Sequence, residues 1–264
     1  MSKIVVITGG TSGIGLETAK ALAAQGCTVY ELSRRDKGAA PGVKHITADV
    51  TDEAQCDAAV AQIVREAGRI DVLINNAGFG ISGAIEFTDT SEAQRQFDVN
   101  FFGMVRMNHA VLPVMRRQGG GRIISMSSVA APIAIPFQAY YSASKAAVRT
   151  YMLALASEVK PFGIETCAIM PGDIATGFTA ARAKNPAGDD VYNGRISRSV
   201  AVMEHDEQTG ITAADAGAFV AKKALQKRVP VLCTLGGKYK VFVFLTRLLP
   251  MRLMVWLVGL IYAN

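Results

Sequence analysis

Short apolar runs alternate along the chain with longer segments in which apolar residues return every three or four positions. The short runs predict β-strands at residues 4–8, 28–32, 44–48, 71–75, 122–126 and 165–170. The longer segments predict α-helices at residues 13–25, 53–67, 91–118 and 139–160. Strands that alternate with helices form βαβ units, so the pattern predicts an α/β fold with a doubly wound parallel sheet and helices on both faces.

The carboxyl ends of these strands are where a functional site is expected. Right-handed crossovers bring the carboxyl ends of parallel strands to one edge of the sheet. Ligands of doubly wound sheets bind in the crevice outside that edge. Residues that directly follow a predicted strand are therefore the candidates for binding and chemistry.

Length and composition favour a single domain over residues 1–264. Half of the residues are hydrophobic, and no linker rich in proline, glycine or serine divides the chain. The four cysteines form no C-x-x-C pair, and the three histidines fit no metal-ligand spacing. This argues against a metal site or a disulfide framework and favours a reducing cytoplasm. The first residues lead directly into a strand and lack the apolar segment of a secretory signal peptide.

The net charge of +6 is unevenly placed, because eight basic residues and no acidic residue follow Asp215. Residues 236–264 form an apolar, basic C-terminal extension in which Pro250 and two arginines interrupt the hydrophobic run. The uncharged part is too short for a spanning helix. Two interpretations stay open, namely peripheral contact with an acidic membrane surface or burial against a substrate pocket or a subunit partner. Nucleic acid is not expected as a partner, since the tail is aliphatic and aromatic.

Residues 177–212 combine several glycines and a proline with charged side chains, directly beyond the sixth predicted strand. This composition does not indicate regular core structure. It predicts a mobile substrate lid, with a disordered surface loop as the alternative.

A glycine-rich segment follows the first predicted strand and opens the first helix. Its spacing is G-x-x-x-G-x-G, with Gly9 for a tight turn, Gly13 for close approach of a diphosphate to the backbone and Gly15 for close packing. The positive end of the helix would receive the diphosphate, with Thr11, Ser12 and Ile14 beside it. The segment therefore predicts a dinucleotide site, and an ordinary glycine-rich turn is the alternative.

The end of the second predicted strand distinguishes NADP(H) from NAD(H). An acidic residue there would hold the ribose 2′-hydroxyl group, whereas this chain has Ser33, Arg34 and Arg35. Guanidinium groups and a hydroxyl suit a 2′-phosphate, so we expect NADP(H). The alternative is that the two arginines are only solvated surface residues. Asp49 and Val50 end the third strand, where they could contact an adenine edge, although Asp49 could instead only cap a turn.

Tyr141 and Lys145 place a phenol and an ammonium group on one face of a predicted helix, four residues apart. An unperturbed tyrosine titrates near ~10, and a nearby cation lowers that pKa by favouring the phenolate. The phenol would then exchange protons near neutral pH. This spacing alone is weak, but polar segments follow the neighbouring strands. These are Asn75-Asn76-Ala77-Gly78, Asn100, Ser125 to Ser128, and Pro171-Gly172-Asp173-Ile174-Ala175-Thr176.

With these motifs in this order, the chain over residues 3–176 resembles the short-chain dehydrogenase/reductase family, which has a Rossmann-like fold. The resemblance implies that Tyr141 is the general acid/base and that Lys145 lowers its pKa and binds the nicotinamide ribose. It implies that Ser128, 13 residues before Tyr141, holds the substrate oxygen and that Asn100 anchors a proton-relay water. Ser127 is the competitor for Ser128, and Tyr140 is assigned packing or substrate contact only.

The resemblance also implies cofactor contacts after the later strands. Asn76, Ala77 and Gly78 match the family's cofactor-side segment, which would also stabilise the central sheet. Ile174 and Thr176, after Pro171 and Gly172, match positions that contact the nicotinamide carboxamide. The implied reaction is B-face hydride transfer between nicotinamide and a carbonyl/alcohol pair.

The leading interpretation is an NADP(H)-dependent oxidoreductase, expected to form a homo-oligomer (a dimer or tetramer). Its substrate is expected to be a small hydrophobic carbonyl or alcohol of steroid, retinoid or lipid type. The alternative is a catalytically silent NADP-binding sensor or scaffold. The presence of all the reacting residues argues against this alternative. An epimerase or dehydratase on the same fold is disfavoured by the serine–tyrosine spacing and the apolar tail.

Overall fold

A computed structural model describes residues 2–36 and 39–263 of the chain. Seven of its strands form one parallel sheet in the order β11-β7-β6-β4-β1-β2-β3, and four two-residue strands, β5, β8, β9 and β10, pair outside it. The strands are β1 Ile4–Thr8, β2 Thr28–Ser33, β3 Val43–Thr47, β4 Val72–Asn75, β5 Ile81–Ser82, β6 Gly121–Met126, β7 Ile164–Pro171, β8 Ile174–Ala175, β9 Ala183–Lys184, β10 Ile211–Thr212 and β11 Leu232–Leu235.

Helices cover both faces of the sheet. They are α1 Gly13–Ala24, α2 Glu53–Ala67, α3 Thr90–Phe97, α4 Gly103–Arg117, α5 Ala139–Val159, α6 Phe178–Ala181, α7 Arg195–Gln208, α8 Ala213–Leu225, α9 Gly237–Leu245 and α10 Met251–Tyr262. A π-helical turn, Asp98–Phe102, joins α3 to α4. Short 3₁₀ turns lie at Ile85–Phe87 and Lys160–Phe162. The predicted doubly wound parallel sheet is confirmed.

Alternating side chains of each strand build two separate cores. In β1, Val6 packs into the core beneath α2, α4 and α5, whereas Val5 and Ile7 pack into the core beneath α1 and α8. All three are fully buried. Because both faces of a central parallel strand are covered, such strands are apolar at successive positions, which is why the sequence shows them as short continuous runs.

The chain reverses its direction across the sheet between β1 and β4, which are hydrogen-bonded neighbours although two strands separate them in sequence. The residues at or beyond the carboxyl ends of the central strands, Thr8, Asn75, Met126 and Pro171, consequently lie along one edge. This reversal opens the crevice in which doubly wound sheets bind ligands.

The prediction of one helix over residues 91–118 is wrong in detail. The π-helical turn interrupts it, and α4 continues through Pro113 to Arg117. A π-helical turn shifts the phase of the helix without removing its apolar pattern, so residue spacing alone does not detect it.

Residues 177–212 are also more regular than predicted, since they contain the 14-residue helix α7. Ile196, Ser199 and Met203 of α7 are buried. Helix α7 packs against distant parts of the chain, which include the C-terminal helix α10. The Tyr262 hydroxyl of α10 contacts the carboxylate of Asp206 in α7.

The C-terminal extension is partly packed, and the strand directly before it joins the main sheet. Leu232–Leu235, a strand that the sequence analysis missed, adds β11 to the edge of the sheet beside β7 and brings the sulfur of Cys233 within 3.7 Å of that of Cys167. The guanidinium group of Arg195 in α7 donates to the carbonyl oxygen of Ala263, beyond the end of α10. No helix among the described residues is long and apolar enough to cross a membrane.

Candidate active site

The glycine-rich loop lies at the carboxyl end of β1, at the start of α1. Gly9 and Gly13 have φ angles of +67° and +52°, which glycine adopts without strain. A Cβ atom on Gly15 would lie 2.3 Å from the carbonyl oxygen of Gly9, so only glycine fits where the helix meets the loop. Ser12 gives α1 no side-chain cap among the described residues. The first-turn N–H groups of α1 therefore remain donors for an anionic ligand.

Asn76 fixes this loop to the neighbouring strand end. Its side-chain amide donates to the carbonyl oxygens of Thr8 (3.0 Å) and Gly9 (3.1 Å). The main-chain amides of Asn76 and Ala77 both donate to the Thr8 hydroxyl at 3.0 Å. Asn75 points into the core and donates to Ser125 and Asn108. The segment thus supports both the sheet and the loop, as the sequence analysis proposed for its structural role.

Ser33, Arg34 and Arg35 emerge at the end of β2 and line the same cleft as the glycine-rich loop. Both arginines are exposed. Glu31, two positions before Ser33 on β2, is buried and hydrogen bonded to His45 and to the Ser33 hydroxyl. This carboxylate does not line the cleft, whereas Arg34 and Arg35 do.

Asp49 and Val50 also line the cleft. The Asp49 carboxylate accepts hydrogen bonds from the amide (2.9 Å) and the hydroxyl (2.8 Å) of Thr51. It therefore caps a turn, which was the alternative to an adenine contact, while still facing the cleft. The carbonyl oxygen of Val50 accepts a hydrogen bond from Arg106.

One cleft of about 980 Å³ joins the dinucleotide side to the reacting side. It brings together the predicted site residues Gly9, Thr11, Ser12, Gly13, Ile14, Ser33, Arg34, Arg35, Asp49, Val50, Asn76, Ala77, Gly78, Ser128, Tyr141, Lys145, Pro171, Gly172, Ile174 and Thr176. Gly15 and Asn100 lie behind its wall. A glycine-rich loop, open helix amides and a basic rim suit the phosphates of a dinucleotide, so these residues fit a nicotinamide dinucleotide.

Tyr141 is positioned near the start of α5, opposite the end of β6. A hydrogen bond from Ser128 lowers the pKa of its phenol, but burial is the larger effect and raises that pKa to about 12. The Ser127 hydroxyl donates a hydrogen bond to the main-chain oxygen of Lys145 at 2.8 Å and thus has a structural partner. Of the two competing serines, Ser128 is the one beside the phenol. The Tyr140 hydroxyl lies 3.4 Å from the carbonyl oxygen of Ile85, away from this group.

Burial, and not the Lys145 cation that the sequence analysis made decisive, has the largest effect on the Tyr141 pKa in this structure. Its ammonium group donates to the carbonyl oxygen of Met126 at 2.8 Å and lies 5.7 Å from the centre of the Tyr141 ring. Burial lowers the pKa of Lys145 itself to about 8. Desolvation therefore outweighs the attraction between the two groups.

Asn100 is held by the π-helical turn. Its side chain accepts from the amide of Phe79 and donates to the carbonyl oxygen of the same residue, both at 2.9 Å, and also donates to Ser144 at 3.2 Å. A Cβ atom on Gly78 would lie 3.0 Å from the Asn100 oxygen and 3.5 Å from the Lys145 nitrogen. The turn thus aims Asn100 at the point where Lys145 approaches the strand end.

The segment after β7 closes the reacting side. A Cβ atom on Gly13 would lie 3.5 Å from the Cβ atom of Thr176, whose hydroxyl caps the following turn by accepting from the amide of Phe178 at 3.1 Å. Ile174 is buried in the short strand β8. Gly172 leaves room for the ring of Tyr239, which a Cβ atom would approach to 2.0 Å.

Four polar or aromatic residues of this side were not singled out by the sequence analysis as site residues. Asp173, Phe178 and Glu207 line the cleft, and Arg182 is buried beside them in an ion pair with Glu207. The ring of Phe178 lies 5.7 Å from that of Tyr141. Asp173 stood within a recognised motif, but Arg182 and Glu207 carry no local signal because they meet only in the tertiary structure.

Fold and cleft together define a dinucleotide-binding α/β oxidoreductase. The sequence profile of the short chain dehydrogenase family matches residues 3–187. A "3-ketodihydrosphingosine reductase" from Bacteroides thetaiotaomicron is 40% identical over 264 residues, covering 99% of this chain and 98% of the relative. The chain therefore belongs to the short-chain dehydrogenase/reductase family and is an oxidoreductase.

Solved structures show the same relationship. A short-chain dehydrogenase from Streptomyces avermitilis superposes with a TM-score of 0.82 at 32% identity, covering 92% of this chain and 91% of that one. ElxO with NADP bound superposes with a TM-score of 0.76 at 25% identity, covering 91% and 100%. Structures with this fold hold NADP in some cases and NAD in others, so the family binds a nicotinamide dinucleotide of either kind.

Proposed function

We propose that the protein is an NADPH-dependent reductase of a ketone on a long-chain, lipid-like substrate. The observation that carries the proposal is that Tyr141, Lys145 and Ser128 face the same cleft as the basic rim of Ser33, Arg34 and Arg35. The similarity to a 3-ketodihydrosphingosine reductase over nearly the whole chain supports a lipid-like ketone.

The role of each residue follows from its position and from whether its side chain carries a proton. Reduced dinucleotide supplies a hydride to the carbonyl carbon when bound. Tyr141, protonated because burial raises its pKa to about 12, donates a proton to the oxygen that gains charge. Ser128 donates a hydrogen bond to that oxygen, and the Lys145 ammonium group stabilises the phenolate that remains. Asn100 contributes by holding the main chain at Phe79 beside this site.

The choice of NADPH rests on charge at the end of β2. Arg34 and Arg35 provide planar donors for a 2′-phosphate, and the carboxylate of Glu31 on the same strand is buried and paired with His45. Ser33 adds a hydroxyl. The residues that end β2 at the cleft thus carry hydrogen-bond donors and positive charge rather than the carboxylate that would hold a ribose 2′-hydroxyl.

The C-terminal extension supports a membrane-associated substrate, and we propose that it rests on an anionic bilayer. Exposed apolar side chains of α9 and α10 form a surface that we term the tail face, which includes Val241, Phe242, Phe244, Met251, Val255 and Trp256. Lys238, Lys240, Arg247 and Arg252 are exposed on the same segment, which has no acidic residue. Apolar side chains flanked by cations alone match an acidic lipid surface better than a protein partner of mixed charge. A homo-oligomer stays a prediction, to be measured by light scattering.

The test is reduction of ketones of different chain length. With NADPH, a long-chain ketone in mixed micelles should have a kcat/KM at least about tenfold above that of butanone, because each buried methylene adds about 0.8 kcal/mol. NADH should support much slower turnover. Equal rates for the two ketones would contradict the lipid-like substrate, and the absence of any ketone reduction would contradict the proposed reaction.

A further inference from the structure

Two cysteines lie side by side where the edge strand β11 joins the main sheet, and neither lines the cleft. The sulfur of Cys167 in β7 is 3.7 Å from that of Cys233 in β11. The two residues are 66 positions apart in sequence, so only the pairing of the strands brings them together. Both belong to the core beneath α1 and α8, where Cys167 is fully buried and Cys233 is half-buried. A small solute can therefore reach Cys233 first.

The surroundings of Cys233 favour its thiolate. The thiol of Cys167 donates a hydrogen bond that lowers the pKa of Cys233; burial opposes this effect, and the cations of Lys223 and Lys240 support it. The same hydrogen bond, together with burial, raises the pKa of Cys167. The thiolate is the form of cysteine that attacks a peroxide. Cys233 is thus suited to attack, and Cys167 is a protonated thiol placed to resolve the product.

Cys27 and Cys56 provide a comparison within the same chain. Burial is the largest effect on both and raises the pKa of each thiol, to about 11 for Cys56. The Cys56 sulfur lies 3.8 Å from a carbonyl oxygen, that of Asp49, rather than from a second sulfur. The geometry for reversible oxidation within the chain is therefore found at Cys167 and Cys233.

Strand β11 connects this pair to the substrate side of the cleft. The carbonyl oxygen of Leu235, at the end of β11, accepts from the amide of Gly172 at 3.3 Å. Just beyond β11, the ring of Tyr239 packs on Gly172 and its hydroxyl donates to the carboxylate of Asp173, which lines the cleft. A displacement of β11 would therefore disturb the contacts that hold this wall of the cleft.

A bond between the two sulfurs requires such a displacement. Cys233 stands opposite Ile169, so it is offset from Cys167 along the strands rather than directly across from it. An S–S bond is about 2.05 Å long, so the two sulfurs have to approach each other by about 1.6 Å. Strand β11 is at the edge of the sheet with β7 as its one neighbour there, whereas β7 is held on both sides. The movement consequently falls on β11.

We infer that Cys167 and Cys233 form a redox switch through which a peroxide slows the enzyme reversibly. The Cys233 thiolate attacks hydrogen peroxide; an S–O bond forms, the O–O bond breaks, and the hydroxide released takes up the proton that Cys233 lost. The Cys167 sulfur then attacks the Cys233 sulfur, and the hydroxyl group leaves as water with the Cys167 proton. Two thiols and one peroxide thus give one disulfide and two waters. In a reducing compartment, disulfides are usually transient and redox-sensing.

Mass spectrometry of the full-length protein tests whether the bond forms. Hydrogen peroxide should lower the mass by about 2 Da, the two hydrogens lost, and link the peptides that contain Cys167 and Cys233. Dithiothreitol should reverse both changes. Cys27→Ser is the matched control and should form the same link. In Cys167→Ala the sulfenic acid should persist and react with dimedone at Cys233. Absence of the link in the wild type, or dimedone labelling only at Cys27 or Cys56, overturns the switch.

Hydrogen exchange tests whether the bond affects the cleft, without any need for turnover. Oxidation should speed exchange of the Gly172 amide, because its acceptor Leu235 lies on β11. Exchange in the glycine-rich loop should not change. The difference should appear in Cys27→Ser and be missing in Cys233→Ser. A linked protein in which the Gly172 amide exchanges as before overturns the switch.

The effect on turnover rests on the proposed ketone reduction. The oxidised wild type should have a kcat/KM for a long-chain ketone about tenfold below that of the reduced protein, since ångström-scale misplacement of a site has effects of this size or more. The Kd for NADPH should be unchanged, and Cys233→Ser should keep its activity in peroxide. Equal inactivation of Cys233→Ser, or unchanged turnover of the linked wild type, overturns the switch and leaves ketone reduction standing. If neither form reduces a ketone but the link and the exchange difference appear, the proposed function fails and the switch remains.

Discussion

The nitrogen of Lys145 lies 5.7 Å from the centre of the Tyr141 ring and is turned toward the carbonyl oxygen of Met126. The two residues are therefore neighbours without a direct hydrogen bond between them among the contacts described. Burial shifts their pKa values toward the neutral forms, to about 12 for Tyr141 and about 8 for Lys145. The phenol enters the reaction protonated, and the charge beside it depends on pH.

Ketone reduction should consequently decline as pH rises through about 8. Below that pH Lys145 is an ammonium group and stabilises the phenolate left after proton donation; above it the group is neutral and the stabilisation is lost. The measurement is kcat/KM for reduction between about pH 6 and 10, spanning the pKa of this lysine. A profile that stays flat up to pH 10 would show that the Lys145 charge has no part in the step.

Tyr141→Phe should reduce kcat by about 10²-fold or more, because the ring remains but the transferable proton is gone. NADPH binding, followed by its fluorescence, should change little. Tyr140→Phe is the matched control, since the Tyr140 hydroxyl only approaches the Ile85 carbonyl oxygen at 3.4 Å. Turnover by the Tyr141 variant above a tenth of wild type would refute its role as the proton donor.

The double variant Ser33→Asp, Arg34→Ile should shift the preference from NADPH toward NADH by about tenfold or more in the ratio of kcat/KM values. It removes one guanidinium donor and introduces a carboxylate that repels the 2′-phosphate and accepts from a free 2′-hydroxyl. Arg117→Ile, at the exposed end of α4, changes the net charge without touching the cleft and should leave the ratio unchanged. A wild type that uses both dinucleotides equally well would contradict the assignment.

Gly172→Ala should destabilise the protein by about 1–3 kcal/mol, the usual cost of overpacking. The new Cβ atom would lie 2.0 Å from the Tyr239 ring. In a Tyr239→Ala background the same substitution should cost much less, which thermal unfolding of the four proteins would measure. Gly177→Ala, where a Cβ atom meets nothing within 4 Å among the described residues, is the control. Equal costs in both backgrounds would mean that the two residues are not in contact.

The tail face should bind vesicles that contain phosphatidylglycerol and release them at high salt, since exposed charges are screened within about 8 Å at physiological ionic strength. Trp256 is the single tryptophan of the chain and is 57% exposed, so its emission should shift to the blue on binding. Phe244→Ser with Trp256→Ser should weaken sedimentation with vesicles, whereas Phe162→Ser, an exposed phenylalanine elsewhere, should not. Unaltered sedimentation of the double variant would exclude the tail face as the contact.

The parts of the molecule that the sequence predicted correctly are those with local signals. The strand runs, the glycine spacing around Gly9 and Gly13, and the four-residue interval between Tyr141 and Lys145 each lie within one βα unit. Their neighbours along the chain largely determine their geometry, so the sheet and the position of these residues along one cleft followed from pattern alone.

The parts that the sequence could not predict depend on tertiary contacts. Arg182 and Glu207 stand 25 residues apart, and Asp173 and Tyr239 stand 66 apart. The direction of the Tyr141 pKa shift depends on burial, for which the Tyr–Lys interval contains no information. Strand β11 has only four residues, none of them fully exposed, and its place beside β7 comes from packing rather than from its own composition.

The alternatives for the C-terminal extension were not exclusive. Tyr239 and Tyr262 turn inward to Asp173 and Asp206, while Phe244 and Trp256 on the same two helices face outward. A truncation after Leu235 would remove both sets at once, so point substitutions on the tail face are required to separate membrane contact from closure of the site.

The place of β11 at one edge of the sheet has a consequence for the order of assembly during synthesis. The other six strands of the sheet lie between residues 4 and 171, so they can pair while the last part of the chain is still in the ribosome. The glycine-rich loop, Ser128, Tyr141 and Lys145 are complete at that stage, but the wall that contains Asp173 lacks Tyr239. The dinucleotide side of the cleft would thus form early, and the substrate side would close only once the final helices dock.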